Sequence, residues 1–232
     1  GRVLTARLAL RFAALGYLAL LLGIPVVLVF INAFQDGIGA AWDAVTTPEA
    51  QHAFYLTMVM VLVAVPLNTI FGVLCALAVV RQRFRGRALL NAMVDLPFAV
   101  SPVVVGLALL LVYGRQVIFS TPGMILATMF VSLPFVVREV IPVLREIGTE
   151  QEQAAATLGA GRLQTFFRVT LPAIRWGVAY GVVLTTARAL GEFGAVSVVS
   201  GRISGRTETA TLFVENRFQR FDETGAYAAS VV

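Results

Sequence analysis

The sequence has no lysine: its 18 Lys-plus-Arg positions are all arginine. That absence excludes a glycine-rich phosphate loop ending in Gly-Lys-Ser/Thr, a Schiff-base lysine and a lysine general base, since each needs a primary amine. The bias reads as coding composition and suggests no chemistry of its own. A single cysteine, Cys75, and a single histidine, His52, remove a disulfide framework and any multi-His or multi-Cys metal site. Charge is scarce as well, at 13% of residues against about 25% in soluble domains. Apolar residues make up 58% of the 232 positions, which leaves little room for a soluble fold. The formal net charge of +5 raises the question of nucleic acid, and the placement of the arginines answers it.

What is present is a series of largely uncharged runs of at least about 18 residues, as expected of helices that must satisfy their own backbone hydrogen bonds in lipid. Phe12 to Phe34 is the first, Ala53 to Val80 the second, and Ala88 to Tyr113, with Asp95 inside it, the third. Val117 to Val137 is the fourth, and Trp176 to Val199, carrying Arg188 and Glu192, the fifth. A sixth starts near Thr224 and is apolar from Gly225 to Val232; such a segment is too short for a ~30 Å hydrocarbon core, so the chain is expected to stop inside its last helix. The first run follows Arg2, Arg7 and Arg11, but it outlasts the roughly 7–15-residue apolar region of a secretory signal and is read as a retained helix.

Orientation follows from the arginines, because short cytoplasmic loops accumulate them. The N-terminal tail has three, the next loop has Arg81, Arg83, Arg85 and Arg87, and the Arg138–Arg175 loop has five. The intervening loops carry none between Gln35 and His52, then Arg115 alone, then Arg202, Arg206, Arg217 and Arg220 balanced by Glu208, Glu215, Asp222 and Glu223. Both termini are thus expected in the cytoplasm, around a single six-helix domain. Arginines spent on topology leave little for nucleic acid. Trp42, Tyr55, Tyr113 and Trp176 fall at run ends, as an interfacial aromatic belt requires.

The Arg138–Arg175 loop reads as two short helices around a hinge. Thr149-Glu150-Gln151-Glu152 has capping-box spacing, which predicts that Thr149 caps the helix and Glu152 reaches back to the Thr149 amide. Gln153 to Leu158 are helix formers with an alanine face, and Gly159 suits a left-handed cap. Helical spacing resumes from Arg162 to Thr170, with Leu163, Phe166, Phe167 and Val169 apolar, until Leu171-Pro172 is expected to stop it. A short capped helix with small side chains fits a groove of another protein, and it equally fits an ordinary connector packed on its own bundle.

Gln153-Ala154-Ala155, three residues, Gly159, nine residues, Val169, one residue, Leu171-Pro172 resembles the EAA loop of ABC-importer permeases. Asp95-Leu-Pro-Phe-Ala-Val-Ser-Pro102 and Ala187-Arg-Ala-Leu-Gly-Glu-Phe-Gly-Ala195 are similar to the sulfate/thiosulfate branch of that family, most of all its W-type subunit. The resemblance implies an all-α polytopic protein with type I importer architecture and no ATPase site or cofactor of its own. It further implies ATP and Mg on two partner ABC subunits, a homologous T-type permease, and an extracytoplasmic binding protein, at a bacterial inner membrane. Residues 149–172 would then be the cytoplasmic coupling element, with Glu152, Gln153, Ala154, Ala155, Gly159, Leu171 and Pro172 as its coupling positions. Gln153 stands where the family usually has glutamate, so Glu152 is the candidate to supply that charge. The segment from Arg115 to Ser120 is shorter than the branch usually has there.

Ionisable residues at membrane depth cost about 2.5–3.5 kcal/mol on insertion scales and are normally paired or line a wet path. Arg188 and Glu192, four apart, share a helix face and can pair. One reading is a self-neutralising pair that fixes packing. The other places Arg188 on the transport path, its planar fork holding an oxyanion that Glu192 competes away. Asp95, beside Pro97 and Pro102, reads as an interfacial N-cap of the third run. Gly72, Ala76, Ala78, Gly177, Gly181, Ala187, Gly191 and Gly194 read as close helix packing, with Gly191 and Gly194 also able to permit bending. Rival readings are a molybdate or tungstate importer, or an ion-driven secondary transporter that would need no nucleotide. An intramembrane enzyme is weak, since no nucleophile-base pair is apparent.

Overall fold

The computed structural model describes residues 2–114 and 119–232, and the side chains of all of these except residues 2–6 and 9. Arg115, the expected Val117 start of the fourth run, and the side chain of Arg2 therefore lie outside what is described. Every regular element among the described residues is helical: α1 (Arg2–Ala33), α2 (Ile38–Val45), α3 (Pro48–Arg81), α4 (Arg87–Ala99), α5 (Pro102–Tyr113), α6 (Thr121–Glu146), α7 (Glu150–Thr157), α8 (Arg162–Thr165), a π-turn at Phe166–Thr170, α9 (Leu171–Leu190), α10 (Gly194–Val199), α11 (Ala210–Gln219) and α12 (Glu223–Val231). Four stretches are long and apolar enough to cross a membrane: Leu10–Ala33, Pro48–Arg81, Thr121–Glu146 and Arg162–Val199. The pair α4 and α5 makes a fifth if counted as one broken span. The sixth expected run is represented by the nine residues of α12.

The chain divides into two compact units, residues 1–54 with 209–232, and residues 55–208. In the first, α12 packs on α1, α2 and α11. Its core is built on Ala50, Ala53, Phe213 and Ala229, three of them small enough to let backbones approach. Asp222 starts α12 by accepting from the Gly225 amide at 2.9 Å, and Arg217 holds the same carboxylate at 3.0 Å. Long apolar side chains of α1, from Leu10 to Ile31, stay exposed, as a lipid-facing helix requires.

The second unit is organised around α6, which packs on α9, α4, α5 and α10. Close approach explains the glycines. A Cβ at Gly181 would lie 2.9 Å from the Val136 Cα, one at Gly177 3.1 Å from the Glu139 carbonyl, and one at Gly72 2.8 Å from the Val136 Cβ. The core that results joins Val73, Ala76 and Val79 of α3 to Val94 of α4, Val136, Val137, Val140, Ile141 and Leu144 of α6, and Ile174 of α9.

Three expectations need correction here. The third run is two helices bent by 115° at Val100 and Ser101, which are extended because Pro102 excludes the residue before it from helical geometry. Asp95 consequently lies inside α4, not at an N-cap; Ser101 takes that position. The fourth run does not end at Val137 either, since α6 continues to Glu146 and carries the first residues of the expected loop as helix.

Candidate functional site

The segment expected to be the coupling element begins where α6 ends. Gly148 turns the chain at φ 64°, and α7 follows with Thr149 at its N-cap. The expected capping box does not form. Thr149 makes no side-chain cap bond, and its hydroxyl accepts from Gln153 Nε2 at 2.9 Å. Glu152 turns the other way, because a better partner lies beneath it: Arg81 Nε is 3.1 Å from Oε2, and Arg81 Nη2 donates to Oε1 at 3.2 Å. Thr170 Oγ1 also donates to Oε1, at 2.9 Å. A charged donor outcompetes a neutral amide for a carboxylate.

The far end of α7 matches the expectation. Gly159 sits at φ 84°, the Gly159 amide donates to the Ala156 carbonyl, and the Ala160 amide donates to the Ala155 carbonyl, each at 3.0 Å. This is a Schellman closure, which needs a left-handed residue at that position. Leu171-Pro172, by contrast, does not stop the helix. The π-turn at Phe166–Thr170 widens the backbone, with the Leu171 amide donating to the Phe166 carbonyl, so Pro172 enters at the start of α9. A proline lacks the amide and crowds the preceding turn, and a π-turn relieves both.

No residue of α7 is buried. Gln153 and Ala154 are exposed, Leu158 is 88% exposed, and Leu163 and Phe167 continue an apolar row along the next turn. Ala155, Leu158, Gly159 and Ala160 line an open groove of about 290 Å³. An apolar row left in solvent is a contact surface in waiting.

At membrane depth, Arg188 and Glu192 do meet, Nη1 to Oε2 at 2.6 Å. They do not share a helix, however: α9 ends at Leu190, and Glu192 lies in the Gly191–Phe193 break before α10. The break forms because Glu192 Oε1 accepts the Ala195 amide at 2.9 Å, supplying α10 with a cap that a continuous helix would not need. The Glu192 side chain is 1% exposed and that of Arg188 27%, so Arg188 is the more accessible half of the pair.

Residues 68–229 match the family model described as the binding-protein-dependent transport system inner membrane component. The chain belongs to that family. Among its relatives is the sulfate transport system permease protein CysW of Synechocystis sp., 52% identical over 94% of this chain and 84% of that protein. CysW of Escherichia coli (strain K12) is 46% identical over 92% of this chain and 78% of its own length. The permease protein CysT of Salmonella typhimurium is 40% identical over 93% and 83%.

In this transport-system component, the expected coupling positions divide. Gln153, Ala154 and Gly159 face outward, Glu152 faces its own bundle, and Leu171 and Pro172 open α9. Sequence reasoning missed Arg81, taken only as an orientation signal, although it also donates to the carbonyls of Leu144 at 3.1 Å and Gly148 at 2.6 Å. It also missed Thr170, and the bridge by which Arg138 of α6 holds Asp95 of α4, Nε to Oδ1 at 2.7 Å. Asn68 was missed as well. Fully buried on α3, it donates to the Met129 carbonyl and to Ser132 Oγ of α6, both at 2.9 Å. The one carboxamide inside a 28-residue largely apolar run, Ala53 to Val80, was the available signal.

Proposed function

We propose that the chain is the W-type permease subunit of an ATP-driven importer of sulfate or thiosulfate. The observation that carries this reading is the exposed α7–α8 element, a capped helix with no buried residue that offers Gln153, Ala154 and Leu158 to a partner. The cargo comes from the relatives, which are named as sulfate permeases and favour sulfate over molybdate or tungstate. Two ATPase subunits seat on this element from the cytoplasm, and a T-type permease completes the pathway. An extracytoplasmic binding protein delivers the anion. Both termini lie in the cytoplasm, as the arginine distribution requires.

The chemistry of ATP hydrolysis is supplied by the partners, since a chain without lysine has no residue to complete a phosphate loop. Closure of the ATPase pair on nucleotide moves the α7 element, and the packed helices rock between inward- and outward-open states. Arg188 is assigned to the path. Its planar fork matches two oxygens of a tetrahedral dianion, and Glu192 competes for the guanidinium to release it.

Purification in mild detergent with identification of the co-purifying chains tests the assembly. ATPase subunits are expected in it, and uptake of labelled sulfate by proteoliposomes is expected only with them and with ATP. Uptake by the isolated chain without nucleotide would favour the secondary-transporter reading instead. Wild-type uptake in a stably inserted Arg188→Gln would remove Arg188 from the path and leave the rest standing.

A further inference from the structure

The geometry assigns Glu152 and Arg81 to one device: a clamp that fixes the coupling helix to its own bundle and carries its motion into α3, α6 and α9. Glu152 acts on the permease itself, while the exposed residues beside it meet the ATPase. This rests on the reading of α7 as the coupling element.

Three observations carry it. First, α7 has no buried side chain, so apolar packing does not set its position. Second, one guanidinium joins four pieces of chain. Arg81 is the last residue of α3; it donates to Leu144 near the end of α6, to Gly148 in the turn, and to Glu152 on α7. The carbonyls at a helix C-terminus are the negative pole of that helix, so the arginine is held there even before Glu152 arrives. Glu152 in turn accepts from Thr170, the residue that leads into α9, at 2.9 Å. Third, the space beside the clamp is an open cavity of about 440 Å³, lined by Leu77, Arg81, Glu152, Ala160, Phe166 and Thr170 among others. Beside that cavity the helix packs chiefly on α8 and the π-turn. Force applied to α7 reaches the membrane helices through this carboxylate, through its contacts with α8 and the π-turn, or through the turns at Gly148 and Gly159.

Glu152 and Arg81 are therefore positioning residues, and the readout that separates them from a docking contact is the amount of substrate moved per ATP hydrolysed. The complete assembly, reconstituted in liposomes with binding protein, sulfate and ATP, is compared for wild type, Glu152→Ala, Glu152→Gln and Arg81→Ala. Recovery of the ATPase subunits with each variant is measured in parallel. Glu152→Ala is expected to retain the ATPase subunits, keep most ATP hydrolysis, and lose about tenfold in transport per ATP, the size of one lost charge-assisted bond. Glu152→Gln keeps an oxygen for Thr170 and should lose less. The Arg81→Ala/Glu152→Ala double variant should be little worse than Arg81→Ala alone, because the two residues act as a unit.

If Glu152→Ala inserts normally but no longer retains the ATPase, Glu152 is a docking contact and the clamp is wrong. Additive losses in the double variant, or an unchanged transport ratio in both Glu152 variants, overturn it as well. Should Glu152→Ala fail to insert, the near-isosteric Glu152→Gln decides by the same ratio. An assembly that never contains ATPase subunits, wild type included, fails the importer reading instead and is a distinct result.

Discussion

Two arginine–glutamate pairs are built differently. Arg188 and Glu192 are four residues apart, with a nearly dry carboxylate that also caps α10. Arg81 and Glu152 are 71 residues apart, and their side chains are 16% and 24% exposed. The first pair solves a local problem, placing a charge and a helix start inside a bilayer. The second ties α7, which has no buried side chain of its own, to the ends of α3 and α6. A local pair with a fully buried carboxylate is expected to govern whether the protein inserts and folds; a part-buried long-range pair is expected to govern how its parts move together.

The largest effect tests the first half of that contrast. Glu192→Ala removes the partner of Arg188 and the cap of α10 together, and breaking a buried pair this way costs about 3–5 kcal/mol. The variant should be nearly absent from the membrane fraction, which quantitative immunoblotting measures. Glu192→Gln retains an oxygen for the Ala195 amide and should recover a substantial part of the protein. Equal, near-normal amounts of both variants would show that the Arg188–Glu192 pair matters no more to folding than the Arg81–Glu152 pair.

Next in size is the packing that holds both pairs in register. Gly181→Ala puts a Cβ 2.9 Å from the Val136 Cα, a backbone atom that cannot turn aside. Overpacking of this kind costs about 1–3 kcal/mol. Gly191→Ala, whose nearest neighbour would be the Ala187 carbonyl at 3.5 Å, is the control. Thermal unfolding in detergent should separate the two. A Gly181→Ala protein as stable as Gly191→Ala would mean that α6 and α9 are free to separate.

Salt distinguishes the pairs without mutation. Charges that keep contact with solvent are screened within about 8 Å at 0.15 M ionic strength, and buried ones far less; the Glu152 side chain is 24% exposed and that of Glu192 1%. Raising ionic strength should therefore lower transport per ATP in wild type toward the value of Glu152→Gln, while thermal stability changes little. Salt that melts the protein without changing the ratio would reverse the roles given to the two pairs.

The same contrast explains what the sequence disclosed. Local features were legible: the apolar runs that became α1, α3 and most of α6, the Gly159 cap, and the Arg188–Glu192 contact, each written within a few residues. Features that depend on a distant partner were not. The capping-box spacing at Thr149 was correct as a pattern and wrong as a structure, because nothing near Glu152 in the chain announces Arg81. The bend at Ser101 was hidden inside one largely apolar run, since Pro97 sits inside α4 without breaking it while Pro102 starts a new helix in another direction. Pro172 misled for the opposite reason: a π-turn let the helix pass.

The smallest expected effect concerns Gly159, where the local and long-range arguments meet. Its φ of 84° is costly for any side chain, yet a Cβ there would meet nothing within 4 Å. Gly159→Ala is thus a backbone perturbation alone, worth about 1 kcal/mol, and it is confined to the C-terminal closure of α7. Insertion and overall stability should be almost untouched, because no buried residue depends on α7. The strained closure should instead fray, leaving Glu152 and Arg81 as the remaining hold on the helix. Combined with Glu152→Gln, the substitution should lower transport per ATP more than the two single losses multiply to. If Gly159→Ala is silent even in that background, the helix is held by its exposed face against the ATPase, and the division of labour between the two sides of α7 has to be drawn elsewhere.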